Sequence, residues 1–125
     1  MQLSFSELKD LVFNAGLGMN LPAGSCEDLA FAVASLESLN LHGSNEFLHA
    51  IACKNNLIRD FVIKKNEVEV DIGRTLFEGI YAVDLFIAEK VNKIVFHKFD
   101  CPMLLVGLGC NYYNANFSVF YSDKI

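Results

Sequence analysis

Leu57-Ile58-Arg59-Asp60-Phe61-Val62-Ile63-Lys64-Lys65-Asn66-Glu67-Val68-Glu69-Val70-Asp71-Ile72 is the stretch in which the hydrophobic period of the chain changes. Leu57 to Ile63 is rich in β-branched and aromatic residues, and Lys64-Lys65-Asn66 is a polar turn. Val68, Val70 and Ile72 then alternate with Glu67, Glu69 and Asp71. Strict alternation sends apolar side chains to one face of a strand and acids to the other. The stretch is therefore predicted to be a β-hairpin with one wet face.

Upstream of it the period is helical. Ser4 and Glu7 have the spacing of a capping box, and Phe5, Leu8, Leu11, Val12 and Ala15 fall on one stripe. A helix is predicted from Phe5 to Asn14, with Gly16-Leu17-Gly18 as its stop. A second helix begins near Ala23 or Ser25, holds Glu27 and Asp28 in its first turn, and carries Cys26, Leu29, Ala30, Val33, Leu36 and Leu39 as its apolar stripe. Gly43 is predicted to close it. Ser44 or Asn45 caps a short third helix with Phe47, Leu48, Ile51 and Ala52 apolar, ending at Lys54-Asn55-Asn56.

Downstream, Thr75 to Lys90 is long enough for a helix and apolar on most sides, so it is expected to be largely buried. Lys93 to Phe99 is a strand, Pro102 opens an apolar helix through Met103 to Cys110, and Phe117 to Tyr121 is a last strand. The predicted fold class is α/β, more fully mixed α+β: three N-terminal helices followed by β-β-α-β-α-β, forming a small mixed sheet covered by helices. Crossovers of this length favour parallel pairing and right-handed connections. The chain is expected to form one compact domain over residues 1–125, with the N-terminal helices packed on the sheet, because about fifty residues make only a marginal core alone.

Composition narrows the function. The chain has 125 residues, 10 Lys and Arg against 15 Asp and Glu, and a formal charge of −5. With only Arg59 and Arg74 as arginines there is no basic stripe for phosphates, so nucleic acid is not an expected partner. The longest apolar run, Met103 to Cys110, is far short of the roughly eighteen residues of a membrane span. No cationic region precedes an apolar stretch at Met1 to Glu7, so a cytoplasmic address is expected. Cys26, Cys53, Cys101 and Cys110 form no C-x-x-C pair and read as thiols, mostly buried. Counted with Gly and without Tyr, the apolar share is about 56%, above the roughly 45–50% of ordinary domains, which suggests a buried subunit interface.

Leu3-Ser4-Phe5-Ser6-Glu7-Leu8, then Gly16-Leu17-Gly18-Met19-Asn20-Leu21-Pro22-Ala23-Gly24 leading to Glu27-Asp28, and Leu39-Asn40-Leu41-His42-Gly43, resemble the N-terminal part of a family of short bacterial proteins catalogued as a domain of unknown function. Gly79 to Asp84 and Phe99 to Leu105 resemble two more of its segments. The resemblance implies no activity, cofactor or substrate. It does imply that Cys53 and Cys101 stand where relatives carry small or apolar residues, so these thiols are local choices and not a shared catalytic device.

Several constellations invite chemistry. His49–Cys53 and His97–Cys101 are both H-x-x-x-C pairs, and together they have the ligand types of a tetrahedral Cys2His2 zinc site. The second pair, however, straddles a strand-to-helix junction, where extended chain separates the side chains. Glu46 and His49 make a single E-x-x-H, which without a second copy does not build a di-metal centre. No metal or other cofactor is expected. Asp84 lies in the apolar helix Tyr81-Ala82-Val83-Asp84-Leu85-Phe86, and an ionised carboxylate there is either exposed, bonded to backbone or perturbed in pKa. Gly16-x-Gly18 precedes a helix start and could expose backbone N–H groups to an anion, although Glu27 and Asp28 oppose one, and helix breaking with close packing is the alternative. Gly107-x-Gly109 reads as a close helix approach. Tyr112, Tyr113, Phe117, Phe120 and Tyr121 give the tail more apolar area than a short strand needs, marking either core or an oligomer surface.

No nucleophile elbow or activated cysteine is legible. The expected function is therefore a non-catalytic binding or accessory protein of the cytoplasm, homo-oligomeric, that binds a partner protein or a small metabolite. The alternative is a small enzyme or metabolite-handling subunit using Asp84 with His42, His49 or His97 as acid-base groups.

Overall fold

A computed structural model of the chain describes residues 3–52, 61–88 and 91–109, with the side chains at 61–64 and 71–73 outside that description. Three helices come first: α1 (Phe5–Gly18), α2 (Ala23–Ser38) and α3 (Gly43–Ala52). Then follow β1 (Phe61–Lys64), β2 (Glu67–Gly73), a π-helical turn (Thr75–Gly79) running into α4 (Ile80–Ile87), β3 (Lys93–Phe99) and α5 (Pro102–Gly109). The class is mixed α+β, as the change of period predicts. The last predicted strand, Phe117 to Tyr121, and the predicted ends of α3 at Lys54-Asn55-Asn56 and of β1 at Leu57 to Asp60 lie outside the described residues.

The capping box at the start of α1 is formed in both directions. The Glu7 backbone N–H donates to Ser4 Oγ at 3.1 Å, and the Ser4 N–H donates to Glu7 Oε1 at 3.2 Å. Hydrogen bonding to the Ser4 hydroxyl and to the Ser4 backbone N–H holds the exposed Glu7 carboxyl below its ordinary pKa. The stops of the first two helices differ from the expectation. α1 runs through Gly16 and Gly18 and ends in a Schellman motif with Asn20 left-handed at φ 63°, its N–H donating to Leu17 O at 3.0 Å while Leu21 N–H donates to Gly16 O at 3.1 Å. α2 repeats the device with Asn40 at φ 59°, whose N–H reaches Glu37 O at 3.1 Å while Leu41 N–H reaches Leu36 O at 2.9 Å. Gly43 does not close α2 but opens α3, in place of the predicted Ser44 or Asn45 start.

α2 is the central helix. Cys26, Leu29, Ala30, Ala32, Val33, Ala34 and Leu36 are all buried in it. Its neighbours reach it through glycine, α1 at Gly16, α3 at Gly43 and α5 at Gly107. A Cβ on Gly43 would lie 2.2 Å from Val33 O, and one on Gly107 would lie 3.0 Å from Leu36 Cδ1 and 3.1 Å from Ala32 O. The second contact is the close helix approach expected of Gly107.

β1 pairs antiparallel with β2 and β2 pairs parallel with β3, giving the order β1-β2-β3. Val68 and Val70 are buried, while Glu67 and Glu69 stand on the wetter side, so the alternation translates directly into two faces. The buried face packs with Val91 and with partly buried Leu85, Ile94 and Phe96. The expected packing of α1 to α3 on the sheet is replaced by a different division. Those helices share a core with Leu76, Cys101 and Leu104 from the π-turn and the start of α5, whereas Leu85 of α4 covers the sheet. A cluster of Ala32, Ile80 and Leu108 links α2, α4 and α5. A sheet this small has its apolar face filled by one helix, so the larger helical surface finds its partner in α5.

The segment expected to be largely buried is only partly so. Phe77 is 48% and Tyr81 52% exposed, because the π-turn and α4 pack through Leu76, Ile80 and Ala82 and leave the opposite side outward. Gly43→Ala is expected to destabilise the fold by about 2 kcal/mol or more, since the clash is with backbone. Gly24→Ala, with nothing within 4 Å of the new methyl, is expected to stabilise it by about 0.5–1 kcal/mol. Urea unfolding of the two variants checks both signs.

Candidate functional site

Because β2 and β3 are parallel, they end on the same side of the sheet, with Gly73 paired to Phe99. The chain leaves both strands there into helical structure, so Thr75 meets Asp100 and Cys101, with Arg74 and Glu78 on the same turn as Thr75. In open α/β sheets ligands bind outside the carboxyl ends of parallel strands, which makes this edge the first place to look.

One carboxylate organises it. Asp100 Oδ1 accepts from Thr75 N–H at 3.0 Å, from the Thr75 hydroxyl at 2.6 Å and from Cys101 N–H at 2.6 Å. It thus caps the start of the π-turn and sits at the start of α5, where a negative charge suits the exposed N–H groups. Its other oxygen, Oδ2, is buried without a hydrogen-bond partner. Within the π-turn Glu78, 5% exposed, accepts from Arg74 Nε at 3.1 and 3.2 Å and from Arg74 Nη2 at 3.1 Å. The forked pairing satisfies a carboxylate that would be costly to bury alone. The Arg74 guanidinium also lies 4.4 Å from the centre of the exposed Phe77 ring.

The residues singled out in the sequence are dispersed. Asp84 is exposed on α4, and partial burial of its carboxyl against the apolar helix raises its pKa. His42 is exposed in the joint between α2 and α3 at φ 56°, and His49 is exposed on α3. His97 is exposed on β3, with Nε2 2.6 Å from Glu69 Oε1 across the wet face of the sheet. No hydrogen bond or ion pair joins Asp84 to any of the three histidines among the described residues. Cys101 is buried, its thiol donating to Glu46 O at 3.3 Å, while His97 faces outward, so this H-x-x-x-C pair is split between core and surface. Cys53 lies outside the described residues, as do Tyr112, Tyr113, Phe117, Phe120 and Tyr121. Among the described residues no three His, Cys, Asp or Glu side chains gather closely enough to hold a metal ion.

Gly16 and Gly18 behave differently from each other. A Cβ on Gly16 would lie 2.7 Å from Cys26 Sγ, so Gly16 lets α1 approach α2, whereas Gly18 has nothing within 4 Å. Burial raises the pKa of the Cys26 thiol, which donates to Leu21 O at 3.6 Å. Both Cys26 and Cys101 are free cysteines of the interior.

Thr75, Glu78, Arg74 and Asp100 escape sequence reading as a group. The local signal for Asp100 is a capping-type residue two positions before Pro102, which opens α5; its second partner, 25 residues away, carries no local signal.

The described structure is that of a small α+β protein whose buried polar residues, Thr75 and Glu78 among the described residues, lie at the carboxyl edge of a parallel strand pair. The profile of the family described as "Protein of unknown function (DUF3726)" matches residues 3–74, more than half of the chain, and the protein belongs to that family. The match spans α1 to α3 and the hairpin and stops at Arg74; Thr75, Asp100 and the resembling segments Gly79 to Asp84 and Phe99 to Leu105 lie beyond it. No curated protein and no solved structure matches the chain.

Asp100→Ala would strip three donors of their acceptor, and a loss of about 3 kcal/mol is expected in chemical unfolding, against about 1 kcal/mol for Thr75→Val. Asp84→Asn should do the opposite. The folded Asp84 carboxyl holds its proton more tightly than the unfolded one, so its ionised form opposes folding at neutral pH. Thermal melts should show Asp84→Asn gaining stability at pH 7, with the gain shrinking as pH falls to about 4, into the ordinary carboxylate range. His42→Gly should relieve the left-handed strain and raise stability by up to about 1 kcal/mol in the same assay.

Proposed function

We propose that the protein is a non-catalytic binding or accessory module of the cytoplasm that self-associates through apolar surface. The observation that carries this reading is the size of the hydrophobic side chains left outside: Leu39 is 63%, Leu48 61% and Leu11 58% exposed, with Phe5 and Phe31 in an exposed edge-to-face pair at 6.0 Å. Single exposed leucines are ordinary, but apolar surface on this scale in a small acidic chain favours a partner surface. The dispersal of Asp84, His42, His49 and His97 supports a binding role over acid-base catalysis. Buried free thiols at Cys26 and Cys101 suit a reducing compartment. The fold has no described helix long and apolar enough to cross a membrane.

The test is the solution mass of untagged protein by light scattering over a concentration series, joined to native mass spectrometry. Self-association predicts multiples of 13.9 kDa, and a Leu39→Glu, Leu48→Glu double variant that keeps its circular dichroism while losing mass. A 13.9 kDa species at every concentration would overturn the proposal. A bound small molecule, seen as extra mass on each subunit, would shift the weight to the metabolite-handling alternative.

A further inference from the structure

We draw no further inference here: the strongest candidate, the unpartnered Asp100 Oδ2 between the two helix starts at the carboxyl ends of β2 and β3, belongs to the site already described, and beside this partly buried aspartate nothing points to a ligand beyond the capping bonds of its other oxygen.

Discussion

The rest of the structure depends on how closely other helices approach α2. Gly16, Gly43 and Gly107 bring α1, α3 and α5 against it, and in each case an added methyl would press on Cys26, on the Val33 carbonyl or on Leu36. Close approach matters because dispersion falls steeply with distance, and a small gap forfeits much of each contact. α2 itself supplies small residues, Cys26, Ala30, Ala32 and Ala34, between the larger Leu29, Val33 and Leu36. Notches and ridges on both partners therefore interlock, and the N-terminal helices have a defined place before the sheet enters.

The sheet is joined to this helical body through its carboxyl edge as well as through α4. Asp100 holds Thr75 and Cys101 together, so the exits of two parallel strands are tied to each other and to the helices that follow them. Leu76, immediately after Thr75, enters the core shared with α1 to α3, while Leu108 and Ile80 meet Ala32 of α2. Polar capping and apolar packing thus act at neighbouring residues. The same edge holds the buried Glu78 with its Arg74 partner, whereas Asp100 is held, among the described residues, by neutral N–H and hydroxyl donors alone.

Much of the secondary structure was legible because its signals are local. Ser4 and Glu7 lie within one turn, and the alternation around Val68 and Val70 needs only a strand with one covered face. Helix ends are poorly legible where a glycine serves packing and not chain reversal. Gly16 has the residue type of a stop but sits inside α1, facing Cys26, while Asn20 and Asn40 take the left-handed conformation that ends the helices. The repeated Asn-Leu pairs, Asn20-Leu21 and Asn40-Leu41, mark these ends only weakly, because asparagine's tolerance of positive φ is weaker than glycine's.

The candidate site was less legible, since Thr75 and Asp100 are joined only when two strands align in parallel register. Sequence alone determined the class of fold, the approximate positions of the described helices and strands, the wet face of the hairpin and the membership of Asp84, His49 and His97 in particular elements. Periodicity and capping act over a few residues, which is why those features could be read. Tertiary structure decided that α4 and not the N-terminal helices covers the sheet, that His97 and Cys101 part company, and that one carboxylate serves two helix starts. Each of those outcomes depends on which surfaces meet across long separations in the chain, a competition among packing areas and hydrogen-bond partners that no local pattern encodes.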